Sequence, residues 1–416
     1  MVSTHMWKKW TIGELVARTK TTIQTGPFGT VLSANEFVDY GIPIISVSEI
    51  REGFIRVTDD TPCVTEETFS RLNKYALSAN DIVFARKGSV DRSALIPDET
   101  QRYFLGSDGI RIRFDQSVVR PELMLYIFQS PATKQFLIQS AYGTTMAGLN
   151  EKILSSLEFY LPDTIDEQER ISRILTDLDK QFTITEELIA KKMAIKQGVM
   201  HELLTGKKRL PGFSSDWQKF NLMKHSKIKA RIGWQGLKKS EYLDSGYALL
   251  VTGTDFNDGR VQWDSCHYVT RDRYDQDRNI QIQNNDILIT KDGSLGKAAL
   301  VQGLSKPATL NSGIFVIRPL QNAYDPVFVY HILSSFVFKD FLDKLSAGST
   351  IIHLYQKDVG KFEFLLPPTI EEQKAIAAVL SEMDADIAAS EEKLAKYRQV
   401  KQGMMQQLLT GKIRLV

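Results

Sequence analysis

Residues 217–240, WQKFNLMKHSKIKARIGWQGLKKS, hold seven Lys/Arg and no acid, with Trp234 set among glycines. Basic side chains interleaved with an aromatic ring suit phosphate contacts beside a nucleic-acid groove. Arg231, Trp234, Gln235 and Lys238 are the candidates in this stretch. The plainer alternative is a solvated basic surface. RIGWQGL argues against it, because a Trp among glycines costs stability unless it packs or contacts something. Two further loops carry the same type of group. ARKGSVDR at 85–92 offers Arg86, Lys87 and Ser89, and TKDGSLGK at 290–297 offers Lys291 and Lys297. Arg or Lys beside a glycine turn suits guanine edges or phosphates, and the alternative is a hairpin turn with solvated charges. AYGTTMAGLNEK at 141–152 and SAGSTIIHLYQK at 346–357 place small hydroxyl residues after a glycine, followed by a donor (Asn150, His353 or Tyr355). Tyr142, Thr144, Thr145, Ser349, Thr350 and His353 are the candidates there, against a helix end and connector as the alternative.

Catalytic signals are missing from the sequence. TKDGSLGK is not a phosphate loop of the GxxxxGK[ST] type, since Gly296-Lys297 is followed by Ala298. No GxGxxG follows a strand and no NPPY-like or DEAD-type stretch occurs. The EEK at 391–393 lies on a helix where ion pairing explains it. Six histidines without ligand spacing, and two cysteines about 200 residues apart (Cys63 and Cys266), offer no metal site. No cofactor, no metal and no catalytic residue is expected. The cysteine usage suits a reducing, cytoplasmic setting. No apolar run of membrane length and no apolar signal core at the N-terminus is present.

The candidates sit between two copies of one element. Residues 161–210 and 366–415 match without a gap at a shift of 205, with 24 identities in 50 positions, which makes the chain a tandem duplication. Each copy opens on a capping box, Thr164 with Glu167 and Thr369 with Glu372. Apolar residues then recur at spacings of three and four: Ile171, Leu175, Leu178, Phe182, Leu188, Val199 and Leu203, and in the copy Ile376, Leu380, Met383, Ile387, Leu394, Tyr397, Met404 and Leu408. The pattern predicts helices of about 40 residues, roughly 60 Å long, each needing a partner along its length. The obvious partner is the other copy. Leu175, Leu178, Phe182, Leu203, Leu380, Met383, Ile387 and Leu394 are the expected packing positions. Gly206 and Gly411 fall where a left-handed cap belongs. Gly198 and Gly403 lie inside the helices, where Gly costs about 1 kcal/mol, and are expected to permit close approach of helix to helix or of helix to a partner.

Between the helices lie blocks with strand-like runs (IPIISVSEI, DIVFA, GIRIRF), glycine turns and a helical stretch at 121–140. They are related faintly: Asp81-Ile82 meets Asp286-Ile287 and Gly88-Ser89 meets Gly293-Ser294 at the same shift, while Trp10-x4-Leu15 meets Trp217-x4-Leu222 at 207. The expected organisation is 1–160 and 211–365 as globular α+β domains, with 161–210 and 366–416 as long helices. Charge is balanced: residues 1–160 carry 17 basic and 18 acidic residues, and 211–365 carry 19 and 16. Affinity for DNA must therefore come from local clustering or from a partner.

Two variable domains alternating with two helices of the pattern LP…EQ…KQG-x-M-x2-LLTGK-x-RL resemble the specificity subunit of type I restriction-modification systems. GPFG at 26–29, ARIGWQGL at 230–237 and DILITKDGSLGK at 286–297 are similar to its target-recognition domains. The resemblance covers the whole chain. It implies two target-recognition domains alternating with two long helices, packed as an antiparallel coiled coil with pseudo-twofold symmetry. It also implies that each domain reads one half of a bipartite, asymmetric site in double-stranded DNA, and that the helices set the unread spacer. Two methyltransferase subunits would dock on the chain, motor-nuclease subunits would complete the assembly, and the chain itself would catalyse nothing. The alternatives are a standalone DNA-modifying enzyme with an unrecognised site and a coiled-coil assembly scaffold without a DNA role.

Overall fold

The structure, a computed structural model, describes residues 7–98, 100–142, 148–346 and 353–415, and the side chains of Tyr142 and Trp234 are not described. Thr144, Thr145, Ser349 and Thr350 lie outside the described residues. The chain divides into two units, Met1–Glu186 with Glu392–Val416, and Glu187–Glu391. Helices Ile165–Leu203 and Ile370–Leu408, 39 residues each, both cross this division, so each unit holds one end of each helix.

In the first unit, strands Thr22–Thr25, Gly109–Arg113, Ile82–Ala85 and Ser93–Leu95 form an antiparallel sheet in that order. Ile82–Ala85 is buried at all four positions, which is why DIVFA reads as a continuous apolar run rather than an alternation. A second sheet is built on Ile42–Ile45. The helical stretch expected over 121–140 is two helices, Pro121–Gln129 and Pro131–Tyr142, because Pro131 cannot continue the first. Strand Trp7–Thr11 pairs antiparallel with Glu158–Pro162, from which the first long helix starts. The second unit repeats this plan. Ser226–Ala230, Ile314–Pro319, Ile287–Thr290 and Ala298–Leu300 are consecutive in its sheet, and Gln218–Asn221 pairs with Glu363–Leu366 ahead of the second long helix. Partner strands 158–162 and 363–366 are equivalent at a shift of 205. Their pairing aligns Trp7 with Trp217 and Ile12 with Leu222, a shift of 210. The 207 match of Trp10 to Trp217 was a coincidence of spacing. Gly411 and Gly206 confirm the corrected register: both take positive φ, +68° and +71°, and a Cβ on either would meet the Trp7 or Trp217 ring at 3.0 or 3.3 Å.

Within each unit the two helix ends run antiparallel. In the first, Glu167 pairs with Arg414, Asp179 with Lys401 and Glu186 with Arg398. In the second, Lys192 pairs with Asp386, Lys196 with Asp384 and Arg209 with Glu372. The apolar anchors lie near the helix ends. Ile171 and Leu175 join the first unit's core together with Leu408, and Ile376 and Leu380 join the second unit's core with Met200 and Leu203. Of the expected packing positions, Leu175, Leu203, Leu380 and Ile387 are buried, while Leu178, Phe182, Met383 and Leu394 are half-buried. Leu188 is exposed, and Thr185 and Ile189 take the buried face beside it. Gly198 and Gly403 are exposed with nothing within 4 Å of an added Cβ, so neither serves a close approach of helix to helix.

The Glu–Gln pair opening each helix does a different job from the expected capping box. Thr164 and Thr369 accept the N–H of Glu167 and Glu372 at 3.4 Å, but the carboxylates turn elsewhere. Glu167 takes both arms of Arg414 (2.7 and 2.7 Å), and Glu372 takes both arms of Arg209 (2.6 and 2.8 Å). The Arg414 guanidinium holds Glu167 below the usual carboxylate range. Gln168 accepts the Arg120 N–H at 2.9 Å, and Gln373 accepts the Asp325 N–H at 2.8 Å. Arg120 and Asp325 are the N-cap residues of helices Pro121–Gln129 and Pro326–Leu333. Glu therefore binds the other repeat's tail while Gln binds the globular domain's helix.

A second polar joint lies further along. Tyr126 Oη donates to Asp179 Oδ2 at 2.8 Å in the first unit, and Asp179 also receives Lys401. In the second unit the Tyr126 position is His331, with Ser381 Oγ at 3.2 Å from Nε2 and Asp384 Oδ2 at 4.0 Å from Nδ1. Burial pushes His331 down to about 4, against the opposing pull of Asp384.

Removing one partner of a buried ion pair strands the other charge, at about 3–5 kcal/mol, whereas replacing both is close to neutral. Arg209→Ala should therefore lower the urea midpoint of the second unit's transition sharply, and Arg209→Met with Glu372→Leu should recover most of the loss. His331 binds a proton in the unfolded chain below about pH 6.5 but in the fold only near 4. Its contribution is thus complete above pH 6.5 and declines as pH falls towards 4 by up to about 3 kcal/mol. His331→Gln should flatten that part of the stability–pH curve, and a curve parallel to the unaltered chain's would refute the assignment.

Candidate nucleic-acid interface

The loops after the Asp-Ile strands are held by ion pairs on buried aspartates at the strand starts. Asp81 takes Arg113 bidentately at 2.7 and 2.8 Å, and Asp286 takes Arg318 at 2.6 and 2.7 Å. Asp81 and Asp286 also accept the N–H of Ser78 and Gln283. From these anchors each strand runs to the loop carrying Arg86 or Lys291.

The two loops have the same backbone frame. Arg86 N–H donates to Asp108 O at 2.8 Å, and Arg86 O accepts Leu149 N–H at 2.8 Å. Lys291 N–H donates to Gly313 O at 2.9 Å, and Lys291 O accepts Leu354 N–H at 2.8 Å. All three positions correspond at 205. The frame brings together the DI-strand loop, the loop before the next sheet strand, and the entry to the short helix at 151 or 356.

The side chains on the two frames differ. In the first unit the Arg86 guanidinium lies over the Phe28 ring at 5.2 Å, and Phe28, of the GPFG loop, is 58% exposed. That loop is seated by backbone contact, since a Cβ on Gly26 would lie 1.8 Å from Gly106 O. Lys87 pairs with Asp108 at 2.9 Å at the surface, and half-buried Ser89 closes the turn by accepting Arg92 N–H. Phe28 and Asp108 were not singled out from the sequence; GPFG held the signal for the former.

In the second unit, Lys291 lies over the Phe315 ring at 5.7 Å. Lys297 Nζ donates to Phe256 O at 2.5 Å, and exposed His353 is bonded to Asp292. Arg231 departs from expectation. It is 1% exposed and donates from Nε to Leu310 O at 2.8 Å, from Nη2 to Thr309 Oγ1 at 3.2 Å and from Nη1 to Gln235 O at 3.4 Å. Burial, with Arg273 nearby, lowers its pKa from the ordinary value. It supports the GWQG turn through Gln235 O, and its guanidinium is held by protein carbonyl and hydroxyl groups rather than offered to solvent. Gln235 is likewise buried, its Oε1 without a hydrogen-bond partner among the described residues. Lys238 is exposed, as are Lys219, Lys224, Lys227, Lys229 and Lys239, so six of the seven cations of the acid-free stretch face solvent. Lys227 and Lys229 alternate with buried Ser226 and Ile228 along an edge strand.

Among the described residues no group of three His, Cys, Asp or Glu is placed to hold a metal ion, both cysteines are buried and free, and no helix is long and apolar enough to cross a membrane.

Comparison with known proteins agrees with this layout. The profile of the type I restriction modification DNA specificity domain matches twice, at residues 6–191 and 215–397. The type I restriction enzyme MjaVIII specificity subunit of Methanocaldococcus jannaschii is 24% identical, over 98% of this chain and 93% of that protein. Among solved structures, the S subunit of a type I restriction-modification system from M. genitalium superposes with a TM-score of 0.63 at 16% identity, covering 98% of this chain and 97% of the other. A chain from a structure of the type I R-M system gives 0.55 at 18% identity, covering 98% of each.

Arg231→Met should cost about 1–3 kcal/mol by leaving buried carbonyls unpaired, read as a lower melting temperature. Lys238→Ala, at an exposed position, should stay within about 0.5 kcal/mol. Equal effects of the two would refute the separation into support and surface.

Proposed function

The chain belongs to the type I restriction modification DNA specificity family, and on that premise we propose that it is the non-catalytic specificity subunit of a cytoplasmic type I restriction-modification complex. Residues 1–160 form one target-recognition domain and 211–365 the other, each reading one half of a bipartite, asymmetric site in double-stranded DNA. Helices 161–210 and 366–416 set the unread spacer and dock two methyltransferase subunits, with motor-nuclease subunits completing the assembly. The observation that carries this reading is the pair of matched frames. Arg86 and Lys291 have the same backbone bonds on diverged surroundings, as expected of one scaffold fitted with two specificities.

The contacting groups are assigned to Arg86, Lys87 and Ser89 with Tyr142, Thr144 and Thr145 in the first domain. In the second they are Trp234, Lys238, Lys291, Lys297 and His353 with Ser349 and Thr350. Arg231 and Gln235 act through the turn they support. Partner docking on the helices is supported by Leu188 and Ile195, one heptad apart on one helix face and 44% and 50% exposed in the second unit, since exposed apolar groups on one face mark contact sites. The open space over Gly198 and Gly403 suits the same use.

Reconstitution with the modification subunits, labelled methyl donor and duplex carrying the methylated motif of the source genome tests the proposal. Adenine methylation in both halves of a gapped motif is expected, with none from the chain alone. Arg86→Ala should lower discrimination in one half by about 1–3 kcal/mol and leave the other half intact. Turnover by the isolated chain, or equal binding of motif and random duplex by the complex, would sink the reading.

A further inference from the structure

The second unit has a cleft of about 400 Å³ beside its basic edge strand, with Lys229, Lys291, Tyr355, Ile232 and Phe315 on its walls. Neither Lys229 nor Lys291 is paired with a carboxylate among the described residues, and Lys291 lies over the Phe315 ring. The acid on the wall, Asp277, is engaged by Asn279, which donates its N–H at 2.8 Å and its side-chain amide at 2.9 Å. Tyr355 is 57% exposed and stands at the N-cap of the short helix Gln356–Val359 without capping it. At the corresponding place in the first unit, Asn150 caps its helix by accepting Ile153 N–H at 2.9 Å. Replacing a good N-cap by a residue that cannot cap gives up about 1 kcal/mol, a cost that an outward-facing ring explains if it contacts something. Gln24 stands where Lys229 does, and its side-chain amide is bound to Thr25 O at 2.7 Å. The cleft chemistry is therefore peculiar to the second unit.

The planar groups that read base edges are already committed on these walls. The Arg231 guanidinium is bound to Leu310 and Thr309, the Asn279 amide to Asp277, and the Gln356 amide to Ile228 O at 3.3 Å. Two compact ammonium charges and apolar surface remain, with the Tyr355 phenol ring, one face of which meets Lys357 Nζ at 5.5 Å. An ammonium acts on phosphate as a point charge and lacks the fixed two-point geometry that distinguishes one base pair from another. Resting on the specificity reading above, we propose that this cleft holds one backbone phosphate of duplex DNA between Lys229 and Lys291, with the Tyr355 ring against the adjoining deoxyribose. The contact is independent of sequence and gives the second domain a grip on the backbone that the first does not have.

The test uses the full chain assembled with its modification subunits, and two labelled duplexes, one random and one carrying the genome's methylated motif, titrated across salt. Each neutralised phosphate of duplex DNA contributes about 0.9 to the magnitude of the slope of log K against log salt. Lys229→Ala with Lys291→Ala should weaken both duplexes by the same factor, on the order of tenfold, and reduce the slope by about 1. Lys291→Arg on the Lys229 background should keep the slope, and Tyr355→Ala should weaken both duplexes without changing it. A loss confined to the motif duplex would make the cleft a base reader and overturn the proposal. An unchanged slope in the double variant would overturn it as well. Equal binding of the two duplexes by the unaltered complex would sink the specificity reading instead, and the slope would still decide the cleft.

Discussion

The bidentate Arg–Glu pair at each helix start is the constraint on which the rest of the chain depends. Glu167 and Glu372 are nearly fully buried, so each carboxylate needs a charge-matched partner with two donors in a plane, and arginine supplies it. The arginine comes from the other repeat in both cases: Arg414 for Glu167 and Arg209 for Glu372. Each globular unit is thus completed by the tail of the opposite copy. The neighbouring glutamine ties the same helix turn to the N-cap of the domain's own helix, so one dipeptide orients a long helix against two elements at once.

That arrangement explains which parts of the duplication stayed alike. The helix ends bear the buried ion pair, the glutamine link, the glycine cap against Trp7 or Trp217 and the apolar anchors. All of these would be lost by substitution on either side. The middle of each helix has fewer such demands, and exposed Leu188 lies there, whereas Gly198 and Gly403 sit near the helix ends within the shared KQG segment although nothing approaches them. The globular blocks keep the backbone frame around Arg86 and Lys291 and the Asp–Arg clamps below it. The groups mounted on the frame differ: a guanidinium over Phe28 in one, a lysine beside Phe315 and Tyr355 in the other.

Much of the architecture was legible from residue patterns. The repeat, both helices, their glycine caps, the DI strands and the loops after them lie where spacing placed them, because each follows from local periodicity or backbone preference. The errors share a cause: each concerns a residue whose role is decided by what lies across from it. Arg231 sits in a basic run and reads as a surface cation, yet Leu310 and Thr309, far along the chain, enclose it. Leu188 fits the heptad count, but the helix turns Thr185 and Ile189 inward instead. The Thr-x-x-Glu spacing reads as a capping box until Arg414 or Arg209 arrives to take the carboxylate.

By itself the sequence determined the repeat period, the helix lengths, the strands and the set of groups available for binding, since these depend on order and type along the chain. The tertiary structure alone decided the pairing of each helix start with the other copy's tail, the match of Trp7 to Trp217 and the division of one basic stretch into a buried support and an exposed contact surface. Those outcomes depend on desolvation and on hydrogen-bond partners up to about 250 positions away, as with Glu167 and Arg414. Burial and pairing of this kind are set by the packed fold, and no local pattern carries them.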